Sequence, residues 1–213
     1  MNAHMTTISD IASHLEKSAA NKRILVAIAG PPGVGKSTLS EALNDLLNAE
    51  NSGCCAILPM DGFHYDDIYL EKMGWRSRKG APHTFDVGGL SHMLKRLRDN
   101  NEDQIAIPLF DRDIEIARAA AAVIASSVNI ILVEGNYLLL DEAPWRDLGE
   151  YFDTTIILKS SYETIRQRLT ERWTHFNYTT AEIEEKLNYN DLPNVKLVLG
   201  TSIQADLEFS TGD

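Results

Sequence analysis

Cysteine is nearly missing: the 213 residues hold two, and they are neighbours, Cys54 and Cys55. Adjacent side chains on a strand face opposite ways, which argues against a disulfide between them. With no C-x-x-C pair there is no thiolate metal or dithiol redox motif. A reducing setting, the cytoplasm, is expected. No apolar run is long enough to span a membrane. The start, MNAHMTTISDIASHL, lacks the basic head and apolar core of a secretion signal. Basic residues are short too. Lys and Arg number 20 against 31 Asp and Glu, a formal net charge of −11, which argues against nucleic acid as a partner. Repeats, low-complexity tracts and linkers are missing, so residues 1–213 read as one domain with room for a buried core. What remains is an ordinary globular composition, 44% hydrophobic and 24% charged,.

The most informative stretch is Arg23–Leu39, RILVAIAGPPGVGKSTL. Ile24–Ala29 is a continuous apolar run, as in a strand buried on both faces of a parallel sheet. Gly30-Pro31-Pro32-Gly33-Val34-Gly35-Lys36-Ser37 satisfies G-x-x-x-x-G-K-[ST], and Thr38 opens a helical pattern. Strand, glycine loop and helix together make a phosphate cradle: backbone N–H groups and a helix N-terminus face the nucleotide. Lys36 is expected on the β- and γ-phosphates and Ser37 on Mg²⁺.

Around it, Thr7–Ala20 reads as a helix capped by Thr7 or Ser9, and Cys54–Met60 as a second strand beside the first, ending at Asp61. Residues 62–86 hold an ordered insert or flap, centred on Ile68–Pro82. Asp86 can cap a helix over Val87–Arg98, and Ile105–Phe110 reads as a strand. Ile114–Ser126 is open: its alanines favour a helix, but an extended path is also compatible. Asn129–Val133 and Thr154–Leu158 read as strands. Trp145 and Leu148 suggest a short helix. Tyr162–Phe176 and Thr180–Asn188 read as helices, and Lys196–Leu199 and Ala205–Phe209 as short closing strands. Alternating strands and helices give an α/β fold, a three-layer sandwich with a mostly parallel central sheet.

A phosphate loop does not choose among kinase, GTPase and motor. Guanine reading needs N/T-K-x-D after a late strand. The only Asn-Lys pair, Asn21-Lys22, precedes the first strand. Asp86-Val-Gly-Gly89 matches a D-x-x-G switch but follows no buried strand, and reads better as a helix cap. A small-molecule kinase needs a base, a carboxylate for Mg²⁺ and cations for the moving phosphoryl group. Asp61 and Glu134, each at a strand end, supply the first two. The rival is a nucleotide-binding regulator without an acceptor.

Three motifs now share a likeness: the phosphate loop, Met60-Asp-Gly-Phe-His64 and Val133-Glu-Gly-Asn-Tyr137. From about Arg23 to Leu199 the chain resembles the uridine kinase, phosphoribulokinase and bacterial-type pantothenate kinase superfamily of P-loop NTPases. Arg78–Asp86, Pro108–Arg112 and Asn190–Asn194 resemble a bacterial branch labelled nucleoside kinase-like or fructose transport system kinase. The resemblance implies an ATP- and Mg²⁺-dependent kinase acting on a hydroxyl of a small metabolite: a sugar such as fructose, a nucleoside or a pantothenate-like alcohol. It implies Asp61 as general base, Ser37 and Glu134 at Mg²⁺, and Gly30 to Thr38 around ATP. A helical lid over about 166–194 would bring Arg166, Arg168 or Arg172 to the phosphates. His64, Tyr65, Arg78, Lys79, His83, Asp111 and Arg112 would surround the acceptor. A homodimer stays open.

Overall fold

The computed structural model describes residues 3, 4 and 7–212. A six-stranded sheet runs in the order β1-β8-β7-β2-β6-β3, and every pair in it is parallel. The strands are β1 (Ala3–His4), β2 (Ile24–Ala29), β3 (Cys55–Pro59), β6 (Ile130–Gly135), β7 (Thr154–Lys159) and β8 (Leu207–Ser210). β4 (Gln104–Asp111) and β5 (Ile116–Ala125) form a separate antiparallel hairpin. The helices are α1 (Ile8–Ser18), α2 (Lys36–Glu50), α3 (Asp67–Met73), α4 (Val87–Asp99), α5 (Tyr162–His175), α6 (Thr180–Lys186) and α7 (Leu192–Thr201). A π-helical stretch, Leu187–Asp191, joins α6 to α7.

β2 is buried along its whole length, and its side chains alternate between two cores. Ile24, Val26 and Ile28 pack with Leu15 of α1, Leu43 of α2 and Leu169 of α5. Leu25, Ala27 and Ala29 pack with Leu90 and Leu94 of α4 and Ile105 of the hairpin. This period of two makes the strand apolar on both sides and gives the sandwich its three layers. Among the described residues no helix is long and apolar enough to cross a membrane.

Caps set the helix starts. Thr7 accepts from the Asp10 N–H, and Asp86 accepts from the Gly89 N–H at 2.8 Å. The D-x-x-G match is thus a cap on α4. Thr179 and Glu182 close a reciprocal capping box on α6,.

Two expectations need correction, the strand order and Lys196–Leu199, and two open stretches gain definition. β6 lies between β2 and β3, so Asp61 ends a strand one place removed from the phosphate-loop strand. The alanine-rich Ile114–Ser126 is largely strand, because β4 pairs with it along its length. Lys196–Leu199 lies inside α7, whose Val195 and Val198 serve the two cores. The insert is more regular than its sequence suggests, holding α3 and two 3₁₀ turns, Arg76–Arg78 and Pro82–Thr84.

Candidate active site

The parallel strands deliver the site to one edge of the sheet, where ligands of open α/β sheets bind. β2 ends in the glycine loop, and α2 begins at Lys36. Gly35 starts that helix from the left-handed region, φ +100, a conformation that a side chain would oppose. β6 ends at Glu134-Gly135, and β3 runs into a 3₁₀ turn, Met60–Phe63, that carries Asp61.

Lys36 is buried, and its ammonium donates to two neutral oxygens, Pro31 O at 3.0 Å and Asn136 Oδ1 at 2.6 Å. Burial lowers its pKa to about 8, against the pull of Glu134 and Asp61,. The Ser37 hydroxyl lies 3.5 Å from Glu134 Oε2. Arg112 donates to Asp61 Oδ2 at 2.9 Å.

The two carboxylates are driven apart. Burial raises Asp61, but His64, Arg112, Lys36 and Arg172 outweigh it and hold its carboxyl below the usual range. Burial, then the charge of Asp61, raises Glu134; Lys36 and Arg112 offset this only in part. Burial also lowers His64, keeping it neutral near pH 7. The cations acting on Asp61 there are therefore Arg112, Lys36 and Arg172. Its Nδ1 lies 2.8 Å from the Asp61 carbonyl oxygen, which can only accept. Nδ1 thus carries the proton, and Nε2 keeps a lone pair.

Two cavities meet here. One, of about 600 Å³, is lined by the glycine loop, Glu134, Arg168, Ile8 and Phe209. The other, of about 520 Å³, is lined by His64, Lys79, Phe85, Phe110, Trp173 of α5 and Lys186 of α6. Asp61, Arg112, Asn136 and Arg172 line both.

The structure separates the other candidates. Arg172 reaches the junction, its guanidinium over the Trp173 ring. Arg168 binds Val34 O at 3.2 Å, Thr211 Oγ1 at 3.2 Å and Gly212 O at 3.0 Å, bracing the glycine loop against the strand end after β8. Arg166 is paired with Glu184. Tyr65, Arg78 and His83 line a third cavity beside Pro144 and Pro193, not the one that holds His64 and Arg112. Asp111 is tied to Arg118 at 2.7 Å. Lys79 joins the wall of the His64 cavity, anchored to Asp67.

Sequence reasoning quoted Asn136 in the Glu-Gly-Asn motif but assigned it no role. The signal was its place directly after the strand-end carboxylate. Phe209 and Thr211 of the nucleotide-side cavity carry no motif at all.

If Lys36 holds phosphates it must be charged, which predicts a pH limit. Above about pH 8 its protonated fraction falls as pH rises, so kcat/KM for ATP should drop about tenfold per pH unit,. Steady-state kinetics from pH 6.5 to 9.5 checks this; a flat profile to pH 9.5 would remove Lys36 as the titrating group.

Residues 26–187 match the family model described as an AAA domain. The chain is 34% identical over 208 residues to the Escherichia coli protein named "Uncharacterized protein YggC", covering 97% of this chain and 85% of that one. It is 30% identical over 193 residues to the Schizosaccharomyces pombe "Putative uridine kinase C227.14", covering 87% and 82%. The crystal structure of a "putative fructose transport system kinase" from Silicibacter sp. TM1040 superposes with a TM-score of 0.87 at 35% identity, covering 95% of this chain and 98% of that one. With the phosphate loop, the strand-end carboxylates and these likenesses together, the chain belongs to the AAA-domain family of P-loop proteins and is related to uridine and pantothenate kinases, phosphotransferases with an alcohol group as acceptor.

Proposed function

We propose that the protein transfers the γ-phosphoryl group of ATP to a hydroxyl of a small metabolite, with ATP in the glycine-loop cavity and the acceptor in the cavity of His64 and Phe110. The observation that carries this reading is the shared wall. Asp61, Arg112, Asn136 and Arg172 border both cavities, so a phosphoryl donor and a hydroxyl can meet without either leaving its own pocket.

The donor set suits Mg²⁺. Ser37 and Glu134 offer a hydroxyl and a carboxylate at one strand end. Among the described residues no group of three or more His, Cys, Asp or Glu could hold a metal. Mg²⁺ favours such sparse protein ligation, completed by nucleotide phosphates and water. Bound MgATP would supply the transferable group and offset its charge.

The chain's own residues do the rest. Lys36 holds the phosphates and keeps the donor oriented. Asp61, ionised and steered by Arg112, accepts the hydrogen of the acceptor hydroxyl and receives its proton as the new P–O bond forms. A loose transition state asks little basicity of it, so a low pKa is no obstacle. Arg172 faces the charge on the moving group. The lid, about 166–194, would close over both cavities and exclude water, limiting ATP hydrolysis.

The test is ADP release from MgATP by purified protein against sugars, nucleosides, hydroxy acids and vitamin alcohols. One compound should stimulate release strongly, and Lys36→Ala should abolish the stimulation. Tight ATP binding with no stimulation would favour a nucleotide-binding regulator instead.

A further inference from the structure

Asn136 is half-buried at the end of β6, directly after the Glu134-Gly135 strand end. Its partner fixes which way its amide faces. The Lys36 ammonium can only donate, and it lies 2.6 Å from the side chain. The oxygen therefore faces Lys36, and the NH₂ group faces away from it. That NH₂ has no hydrogen-bond partner among the described residues, whereas the residue lines the acceptor-side cavity as well as the nucleotide side.

Besides the cations Arg112 and Arg172, which the kinase reading gives to Asp61 and to the moving phosphoryl group, three polar groups near this end of the acceptor cavity have open capacity. Asp61 has one oxygen taken by Arg112 and one open. His64 presents the Nε2 lone pair left by its tautomer. Asn136 presents two N–H donors. A molecule offering one isolated hydroxyl would satisfy Asp61 and leave the Asn136 donors unfilled once the lid excludes water, at a cost. A molecule with a second oxygen beside the reacting hydroxyl fills them.

We propose that Asn136 positions the phosphoryl acceptor: its amide N–H donates to an oxygen neighbouring the reacting hydroxyl, while its carbonyl oxygen stays on Lys36. This rests on the kinase reading. The substrate class it names is a polyol or hydroxy acid, in which such a neighbouring oxygen exists, rather than a lone alcohol. The amide also ties the acceptor's position to the lysine that holds the donor.

The experiment takes whichever acceptor gives the strongest ADP release, together with its deoxy analogue lacking the neighbouring oxygen. In the wild type the analogue should show a KM at least tenfold higher. Asn136→Ala should raise the KM of the full acceptor at least tenfold, by a larger factor than it raises the KM of ATP, and no longer distinguish the analogue. Asn136→Ser, which keeps a hydroxyl donor, should recover part of the discrimination. Melting curves identify any variant that fails to fold, and the analogue measured on wild type then decides alone. An unchanged acceptor KM in Asn136→Ala, or equal KM values for acceptor and analogue on wild type, overturns the assignment and leaves the kinase intact. Absence of ADP release with every acceptor overturns the kinase reading and this assignment together.

Discussion

Asp61→Asn should keep the fold and nucleotide binding but lower kcat by about 100-fold or more, close to 2.7 kcal/mol of transition-state stabilisation. The amide matches the carboxylate in size, so the 3₁₀ turn around Met60–Phe63 has no steric reason to move. It loses the charge that Arg112 faces at 2.9 Å and the basicity that receives the hydroxyl proton. The same change acts on Glu134. Asp61 is one of the charges that raise the Glu134 pKa, so removing it lets Glu134 ionise more readily and leaves the proposed Mg²⁺ ligand at least as available. Steady-state kinetics and calorimetry with a non-hydrolysable ATP analogue separate the two effects. A near-normal kcat would remove Asp61 from the base role; a lost nucleotide affinity would move it to the donor side.

Gly62→Ala should damage stability and turnover together. A Cβ at Gly62 would fall onto the Pro108 carbonyl oxygen and lie 2.8 Å from its carbon. Those are backbone atoms of β4, unable to swing aside like a side-chain tip. Overpacking of this kind costs about 1–3 kcal/mol, which in a domain of this size lowers Tm by roughly 5 °C. The strain falls next to Asp61. A displacement there approaching 1 Å can cost up to about 100-fold in turnover. Thermal melting and kcat, measured on the same preparation, check both halves. A variant with wild-type Tm and kcat would show that the hairpin yields freely at Pro108.

The parts of the site legible in the sequence are those with local determinants. The apolar run Ile24–Ala29, the glycine loop and the helix after it are contiguous, so one stretch specifies strand, turn and cradle. Asp61 and Glu134 were readable because each ends an apolar run. Strand order was not: the insertion of β6 between β2 and β3 depends on contacts far apart in sequence. Alanine propensity pointed Ile114–Ser126 toward helix, but pairing with β4 outweighs it,. Lys196–Leu199 is four residues long, too short for its period to separate strand from helix. Tyr65 and His83 share a segment with His64 but belong to another cavity, because the insert turns back on itself through α3 and two 3₁₀ turns. Sequence proximity carried no information about which wall each side chain would join.

The hairpin has a further consequence, for self-association. β5 is alanine-rich, mostly exposed and, among the described residues, paired on one side only, the kind of edge on which strands from other molecules add. Its register breaks where Ile107 faces Ala122 and Leu109 faces Arg118, so Ala119, Ala120 and Ala121 bulge opposite Pro108, with Ala120 in the left-handed region. A bulge and a proline are common devices for blunting such an edge. Pro108, whose backbone packs against Gly62 of the Met60–Phe63 turn, also interrupts the β4 ladder opposite that bulge, so one residue bears on both the geometry of the candidate site and the pairing capacity of the hairpin.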